Sequence, residues 1–462
     1  MTERRRKGGL TGAQKAELFA NVKSKRPARA TSTASANRKP DVRAVKAFDF
    51  STLPAMRELK MQRAAADMIG TKIPFFQVHD GIAAETSSVE GRELLNFGSY
   101  NYLGLVGHPE VANAAKQAID DYGTSVSASR IVAGERPIHR DLERAIADLH
   151  GVEDAVVFVS GHATNMNIIG TIMGPKDLVL CDGLIHNSIL EGVRLSGATR
   201  IMFTHNDLAS LEAHLDANRH RFQRVLIAVE GLYSMDGDFP DLKALVELKD
   251  RYDAWLMVDE AHSIGVLGET GRGLAEHCGV DPNSVEIWMA TLSKTFTSCG
   301  GYAAGSAALC EYLKIKSAGF VYSVGMPAPA AAAALACCDI LRREPERVLR
   351  IKENGHLFLE EAKRYGLDTG PSAGYSVVPV IVGDSIRSLM LCSQLAERGI
   401  NALPIIFPAV AEKAARLRFF ITAAHTPDQI RHTVKVVAEE IEKLANTKAL
   451  ADLVRKTAAA EA

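Results

Sequence analysis

From about residue 150 the chain alternates short apolar runs with stretches of helical period. The runs lie at 155–159, 178–181, 200–203, 225–229, 255–258, 287–290 and 302–304, and stretches such as 141–149, 208–215 and 242–252 separate them. Apolar runs of this length, rich in Val, Ile and Leu and bounded by polar turns, predict buried strands; period 3.6 between them predicts helices. Buried strands that alternate with helices give an α/β fold, a mostly parallel seven-stranded sheet covered on both faces. Such sheets bind ligands beyond the carboxyl ends of their strands. Ser160, Gly161, Asp182, Glu230, Gly231, Asp259 and Lys294 all fall at or just past those ends.

After a helical stretch at 329–343 the pattern changes. Helices at 348–365, 386–398 and 427–445, with strands at 376–382 and 416–421, predict a smaller C-terminal α+β domain. The resulting division is a tail at 1–45, an N-terminal segment at 46–95, a large domain at 96–345, a small domain at 346–445 and a second tail at 446–462.

Composition adds a class and an asymmetry. With 462 residues, 47% hydrophobic and 24% charged, the chain is ordinary globular sequence. Residues 1 to 46 carry 13 Lys or Arg against three acids; that net +10 leaves −11 on the rest, since the whole chain sums to −1. The tail's charge and Ser/Thr/Ala/Pro content predict disorder, with one short helix at 13–22. It is a solubilising arm, a dock for an acidic carrier protein, a peripheral contact to an anionic membrane, or an organelle transit peptide. Seven cysteines without CxxC spacing favour neither disulfides nor zinc, so no metal is expected and a reducing cytoplasm fits. No membrane span or signal-peptide core is seen, and no nucleic-acid partner is expected.

The candidate chemistry centres on Thr291-Leu292-Ser293-Lys294, which ends an apolar run. A lysine among small hydroxyl and glycine residues at a buried strand end can lose its charge and act as a nucleophilic amine; otherwise it is a surface charge. Asp259 and His262, three apart after another strand, can pair with a pyridinium nitrogen and reach a ring hydroxyl, or cap a helix. Ser160-Gly161 opens a helix whose amides can hold a phosphate, or is a plain strand-to-helix turn. His186 begins another helix, where it can stack on an aromatic ring. Arg416 and Arg418 share one face of an alternating strand and offer a carboxylate clamp, or pair with the protein's own acids. The glycine-rich 265–273 stretch lacks the ending of a P-loop and does not fit GxGxxG, which discounts nucleotide binding.

Taken in order, Gly98-Ser99-Tyr100-Asn101-Tyr102-Leu103-Gly104, Ser160-Gly161, His186, the run from Glu230 to Gly237, Asp259 to His262, Thr291 to Lys294 and Arg416 to Arg418 closely resemble the α-oxoamine synthase family. These are pyridoxal-phosphate enzymes of the fold-type I aminotransferase class, and the resemblance covers roughly 50–445. It implies that Lys294 forms the imine with pyridoxal 5'-phosphate, that Asp259 partners the ring nitrogen, and that His262 reaches the ring hydroxyl. By the same resemblance His186 stacks on the ring, Ser160, Gly161 and Thr291 hold the phosphate, and Ser234 lines the cofactor hydroxyl. Lys294, His186 and His262 are the implied catalytic groups. Arg418, rather than Arg416, is the implied carboxylate site, with Tyr100 and Asn101 in the substrate pocket.

The family condenses an amino acid with an acyl thioester, loses carbon dioxide and works as a homodimer. One departure is Tyr322-Ser323-Val324-Gly325-Met326-Pro327, where many relatives carry further hydroxyls that reach the partner's phosphate. Tyr100, where many glycine- or alanine-using relatives carry asparagine, makes the chain look most like the serine palmitoyltransferase branch of sphingolipid synthesis. That branch joins L-serine to a long-chain acyl-CoA or acyl carrier protein and yields a product such as 3-ketosphinganine. The alternative is glycine or alanine condensed with a carrier-bound acyl or polyketide chain.

Overall fold

A computed structural model describes residues 49–57, 59, 60, 63 and 74–446. The expectations for the 1–45 tail, its short helix, and residues 447–462 lie outside the described residues. The described residues up to 60 belong to one compact unit and those from 63 onward to another. In the first, a 3-10 turn at Phe50–Thr52 is capped by Asp49, whose carboxylate accepts from the Ser51 amide at 2.8 Å.

The second unit opens with three antiparallel strands, β1 (His79–Asp80), β2 (Thr86–Val89) and β3 (Arg92–Asn96). Two helices follow, α1 (Pro109–Tyr122) and α2 (Pro137–His150). Both start on a proline, whose missing N–H is harmless there, and α2 stops at Gly151, which takes the left-handed conformation at φ 75°.

The main sheet holds β4 (Asp154–Phe158), β5 (Leu178–Asp182), β6 (Thr199–Phe203), β7 (Val225–Glu230), β8 (Trp255–Asp259), β9 (Ile287–Thr291) and β10 (Gly301–Gly305). Its order is β4-β10-β9-β8-β7-β5-β6. β10 runs antiparallel to both neighbours; the remaining pairs are parallel. Each predicted strand is found within one or two residues of its expected ends.

Helices on both faces explain why these strands are apolar at successive positions. Leu178, Leu180 and Ile227 pack into one cluster, and Val179, Cys181 and Leu226 into the other. The helices that position the site are α3 (Gly161–Ile172) after β4 and α4 (Asn187–Ser196) after β5, followed by α5 (Leu208–Asn218) and α6 (Leu242–Arg251).

Beyond α7 (Ala328–Arg343) and α8 (Glu346–Arg364) comes a smaller layer. Its strands are β11 (Val377–Ile381), β12 (Ile400–Asn401), β13 (Leu403–Ile405) and β14 (Arg416–Phe420), with helices α9 (Ser385–Glu397) and α10 (Pro427–Asn446). β11, β14 and β13 form an antiparallel sheet in that order. β12 instead joins β3 in parallel, pairing Ile400 with Leu95 and Asn401 with Asn96. Phe97 packs with Phe358 and Phe419 in this layer's core, so the segment just after β3 is built into the C-terminal layer.

Candidate active site

The carboxyl ends of β4, β5, β7, β8 and β9 converge on one cavity of about 180 Å³, lined by Gly161, His186, Glu230, Asp259, His262 and Lys294 among others. Lys294 sits three residues past β9. Its Nζ lies 2.9 Å from His262 Nε2 and 5.6 Å from the centre of the Tyr100 ring. Burial pulls its pKa down to about 8, against the opposing charges of Asp259 and Glu230 and with help from Arg418. A second groove, of about 350 Å³, also reaches Lys294 and is lined by Tyr100, Asn101, His79, Asn96 and Asn401 among others.

Asp259 ends β8 and is buried. Asn165 Nδ2 donates to its Oδ2 at 2.8 Å and the Ala261 amide to its Oδ1 at 3.0 Å. No lysine, arginine or histidine forms a salt bridge with it among the described residues. Asn165 Nδ2 also lies 2.8 Å from Ser188 Oγ, which lies 2.7 Å from His186 Nδ1. Thus His186, the N-cap of α4, is tied through two side chains to the carboxylate. The three strand ends are set as a unit.

Glu230 is paired in register with Asp259. Its Oε2 accepts from the Ser234 amide at 3.2 Å, and burial together with the Asp259 charge raises its pKa to about 8. Ser160 caps α3, its hydroxyl accepting from the Ala163 amide at 3.4 Å. The first amides of any helix have no partner inside it and attract anions. Here they emerge beside Thr291, whose Oγ1 is 2.8 Å from Ser293 Oγ. A Cβ on Gly161 would stand 2.5 Å from Thr291 Oγ1, so this turn admits no side chain.

The two arginines of β14 part company. Arg416 forms an ion pair with Asp236 and donates to the Met235 carbonyl at 3.1 Å. Arg418 has no carboxylate partner among the described residues. It donates to the Ser234 carbonyl at 2.8 Å, packs its guanidinium 4.6 Å from the centre of the Phe420 ring, and leaves Nε without a partner. Asn101 is engaged at both ends of its amide, giving to the Ala83 carbonyl at 3.1 Å and accepting from the Val106 amide at 3.1 Å. Its contribution to the groove is therefore shape. Tyr100 stands over Lys294 with its ring edge to His262 and Phe420.

His205, Asp236 and Asp238 bring three possible metal-ligating atoms within 4.8 Å of one another. They are already engaged. His205 bridges Asp182 at 2.7 Å and Asp238 at 2.9 Å, and Arg416 takes Asp236.

The cavity matches pyridoxal phosphate on three counts. Asp259 is a buried carboxylate that needs a cation, as a protonated ring nitrogen is. Glu230 Oε1, Asn165 Oδ1 and Arg418 Nε are buried polar atoms with no partner, which calls for a polar ligand. Gly161, with the hydroxyls of Ser160 and Thr291 at a helix start, leaves a cradle for a dianion.

Tyr102 lies inside a motif quoted above, and Asn165 and Ser188 follow Ser160-Gly161 and His186 by a few residues, yet sequence reasoning gave none of them a role. Their signal was position in or next to those motifs; the direction of each side chain was not readable.

Comparison with known proteins points the same way. Residues 92–437 match the family described as aminotransferase class I and II. The chain is 38% identical over 357 residues to 8-amino-7-oxononanoate synthase 1 of Bacillus subtilis, covering 77% of this chain and 90% of the relative. It is 40% identical over 353 residues to 8-amino-7-oxononanoate synthase of Symbiobacterium thermophilum, covering 76% and 90%. Among solved structures it superposes on Sphingomonas wittichii serine palmitoyltransferase with a TM-score of 0.81 at 27% identity, covering 85% of this chain and 98% of that one.

Proposed function

Because the chain belongs to the aminotransferase class I and II family, as a pyridoxal-phosphate-dependent α-oxoamine synthase, we propose that it condenses alanine with an acyl thioester and releases carbon dioxide and an aminoketone. The observation that carries the choice of amino acid is the match to 8-amino-7-oxononanoate synthases along about nine-tenths of their length. In 8-amino-7-oxononanoate the amine-bearing carbon carries a methyl group and adjoins the ketone. A decarboxylative condensation makes that arrangement from alanine and a seven-carbon acyl group ending in a carboxylate.

Pyridoxal phosphate, when bound, supplies an electron sink for the negative charge that develops at the amino acid's α-carbon. Ser160, Gly161 and Thr291 would hold its phosphate; the Asp259 carboxylate, oriented by the Asn165 and Ala261 donors, would pair with the ring nitrogen. His186 would lie against the ring, and His262 and Ser234 would line its hydroxyl side. Arg418, free of internal carboxylates, binds the amino acid's carboxylate. Lys294, with its pKa near 8, carries the proton to and from the α-carbon at working pH. The groove between Tyr100, His79 and Asn401 admits the acyl group.

The protein acts as a homodimer in this reading. Two segments joined by the Gly325 amide to the Ala128 carbonyl at 3.0 Å expose Ile131, Val132, Tyr322 and Val324, an apolar surface suited to a second copy. No helix among the described residues is long and apolar enough to cross a membrane. The basic tail docks an acidic acyl carrier protein.

A second reading, serine with a long-chain acyl thioester, is favoured by one observation: the TM-score of 0.81 to serine palmitoyltransferase over nearly all of that chain. The test is to incubate the holoenzyme with alanine, glycine or serine against CoA and carrier-protein thioesters, some ending in a carboxylate, and to identify products by mass. Alanine-derived aminoketones are expected. Product from serine alone would overturn the first reading for the second.

A further inference from the structure

His262 is engaged at both ring nitrogens. Nε2 faces Lys294 Nζ at 2.9 Å, and Nδ1 faces the Tyr102 hydroxyl at 2.6 Å. Tyr102 is fully buried, as nearly is His262. Burial holds the phenol well above its ordinary pKa, and burial with the charges of Lys294, Arg418 and His186 holds the imidazole well below its own. Both groups are neutral. A neutral imidazole has one N–H, so the hydrogen bond at one nitrogen decides what the other can do.

The phenol hydrogen needs an acceptor in a dry site. His262 Nδ1 is in line at short range. The other hydroxyl beside it, Ser376, has its oxygen 3.5 Å from the His262 carbonyl oxygen, a contact too long to be a strong bond. If Tyr102 donates to Nδ1, the imidazole hydrogen sits on Nε2 and points at Lys294 Nζ. Only an uncharged amine has the lone pair to accept it.

We propose that Tyr102 is a positioning residue: its hydroxyl fixes the Nε2–H tautomer of His262 and thereby favours the uncharged, reactive amine of Lys294. The proposal rests on the reading of Lys294 as the reacting amine. Other groups act on Lys294 too. Asp259 at the end of β8 and Glu230 at the end of β7 favour the ammonium; Arg418 on β14 and burial favour the amine. His186 faces His262 from the start of α4, and Tyr100 covers Lys294. Tyr102→Phe leaves all of these in place and removes one hydroxyl.

In full-length protein labelled with ¹⁵N-histidine and free of cofactor, the nitrogen shifts of His262, identified by their loss in His262→Asn, report the tautomer. Nε2–H is expected. Nδ1–H in the unaltered protein overturns the proposal whether or not any variant folds. In Tyr102→Phe the association of pyridoxal phosphate, followed by the visible absorbance it gains on binding, should need a pH about one unit higher, so that association at pH 7 slows about tenfold. An unchanged pH profile with unchanged tautomer overturns the proposal alone. No gain of absorbance by the unaltered protein would overturn the reading of Lys294 and the proposal together.

Discussion

His205 joins three strand ends, and two of them, those of β5 and β7, carry the site. It lies past β6, its Nδ1 bonds Asp182 at the end of β5, and its Nε2 bonds Asp238 in the loop after β7. That same loop presents the Ser234 carbonyl to Arg418. Burial alone would lower the imidazole's pKa, but the bonds to Asp182 and Asp238 and their charges outweigh it and lift the value from 6.5 to about 10. At about 1.4 kcal/mol per unit this sets a ceiling of about 5 kcal/mol. The side chain keeps 20% of its surface exposed, and solvent screening brings the expected loss in His205→Gln to about 2 to 3 kcal/mol.

The sign with pH follows from linkage. Below pH 6.5 the imidazole is protonated both folded and unfolded, and its full contribution is present. Between 6.5 and about 10 only the folded state holds the proton, so the contribution falls as pH rises and is gone above the folded value. Scanning calorimetry of the two proteins at pH 6, 7.5 and 9.5, at one scan rate, reads the difference. His205→Gln should melt about 2 to 3 °C lower at pH 6, with the gap closing by pH 9.5. A gap that stays constant or widens with pH would refute a charged imidazole between these carboxylates.

Arg418→Lys should raise KM for the amino acid about tenfold or more while kcat changes less, because lysine cannot match the planar two-point grip on a carboxylate; steady-state kinetics at saturating acyl donor decides it, and an unchanged KM moves the carboxylate elsewhere. Gly161→Ala should weaken pyridoxal phosphate at least about tenfold by fluorescence titration, since the new Cβ meets Thr291 Oγ1 at 2.5 Å, while helix content by circular dichroism holds because alanine is a better helix former. Lys294→Ala should bind pyridoxal phosphate without the visible absorbance change and lose turnover with every substrate; retained turnover would remove the lysine from the chemistry.

The main sheet was legible because its strands are short, apolar at successive positions and separated by helical period, a signal that survives without knowledge of packing. Strand ends such as Asp259 and Glu230 were legible for the same reason: polar groups placed where burial stops. β1, β2, β3, the two-residue β12 and the three-residue β13 were not foreseen. They are too short or too polar to show a period, and β12 gains its identity only from Leu95 and Asn96, some three hundred residues earlier. The His186–Ser188–Asn165–Asp259 chain was invisible for a different reason. Each member was in a quoted motif or within a few residues of one, but joining them required the phase of α3 against the start of α4. Arg416 and Arg418 share a strand face by period, whereas their different partners depend on where the loop after β7 crosses them.

The parallel pairing of β3 with β12 also sets a timetable for synthesis. Asn96 leaves the ribosome long before its partner Asn401, 305 residues later, exists. Until then the edge of β3 has no neighbour on that side, and Tyr100 and Lys294 lack the β14 strand that brings Arg418. A chain halted near residue 345 would hold every strand of the large sheet and still present an open edge, the feature that invites pairing with other chains. The catalytic centre is therefore among the last parts of this protein to be completed, and truncated products are the species most exposed to aggregation before it closes.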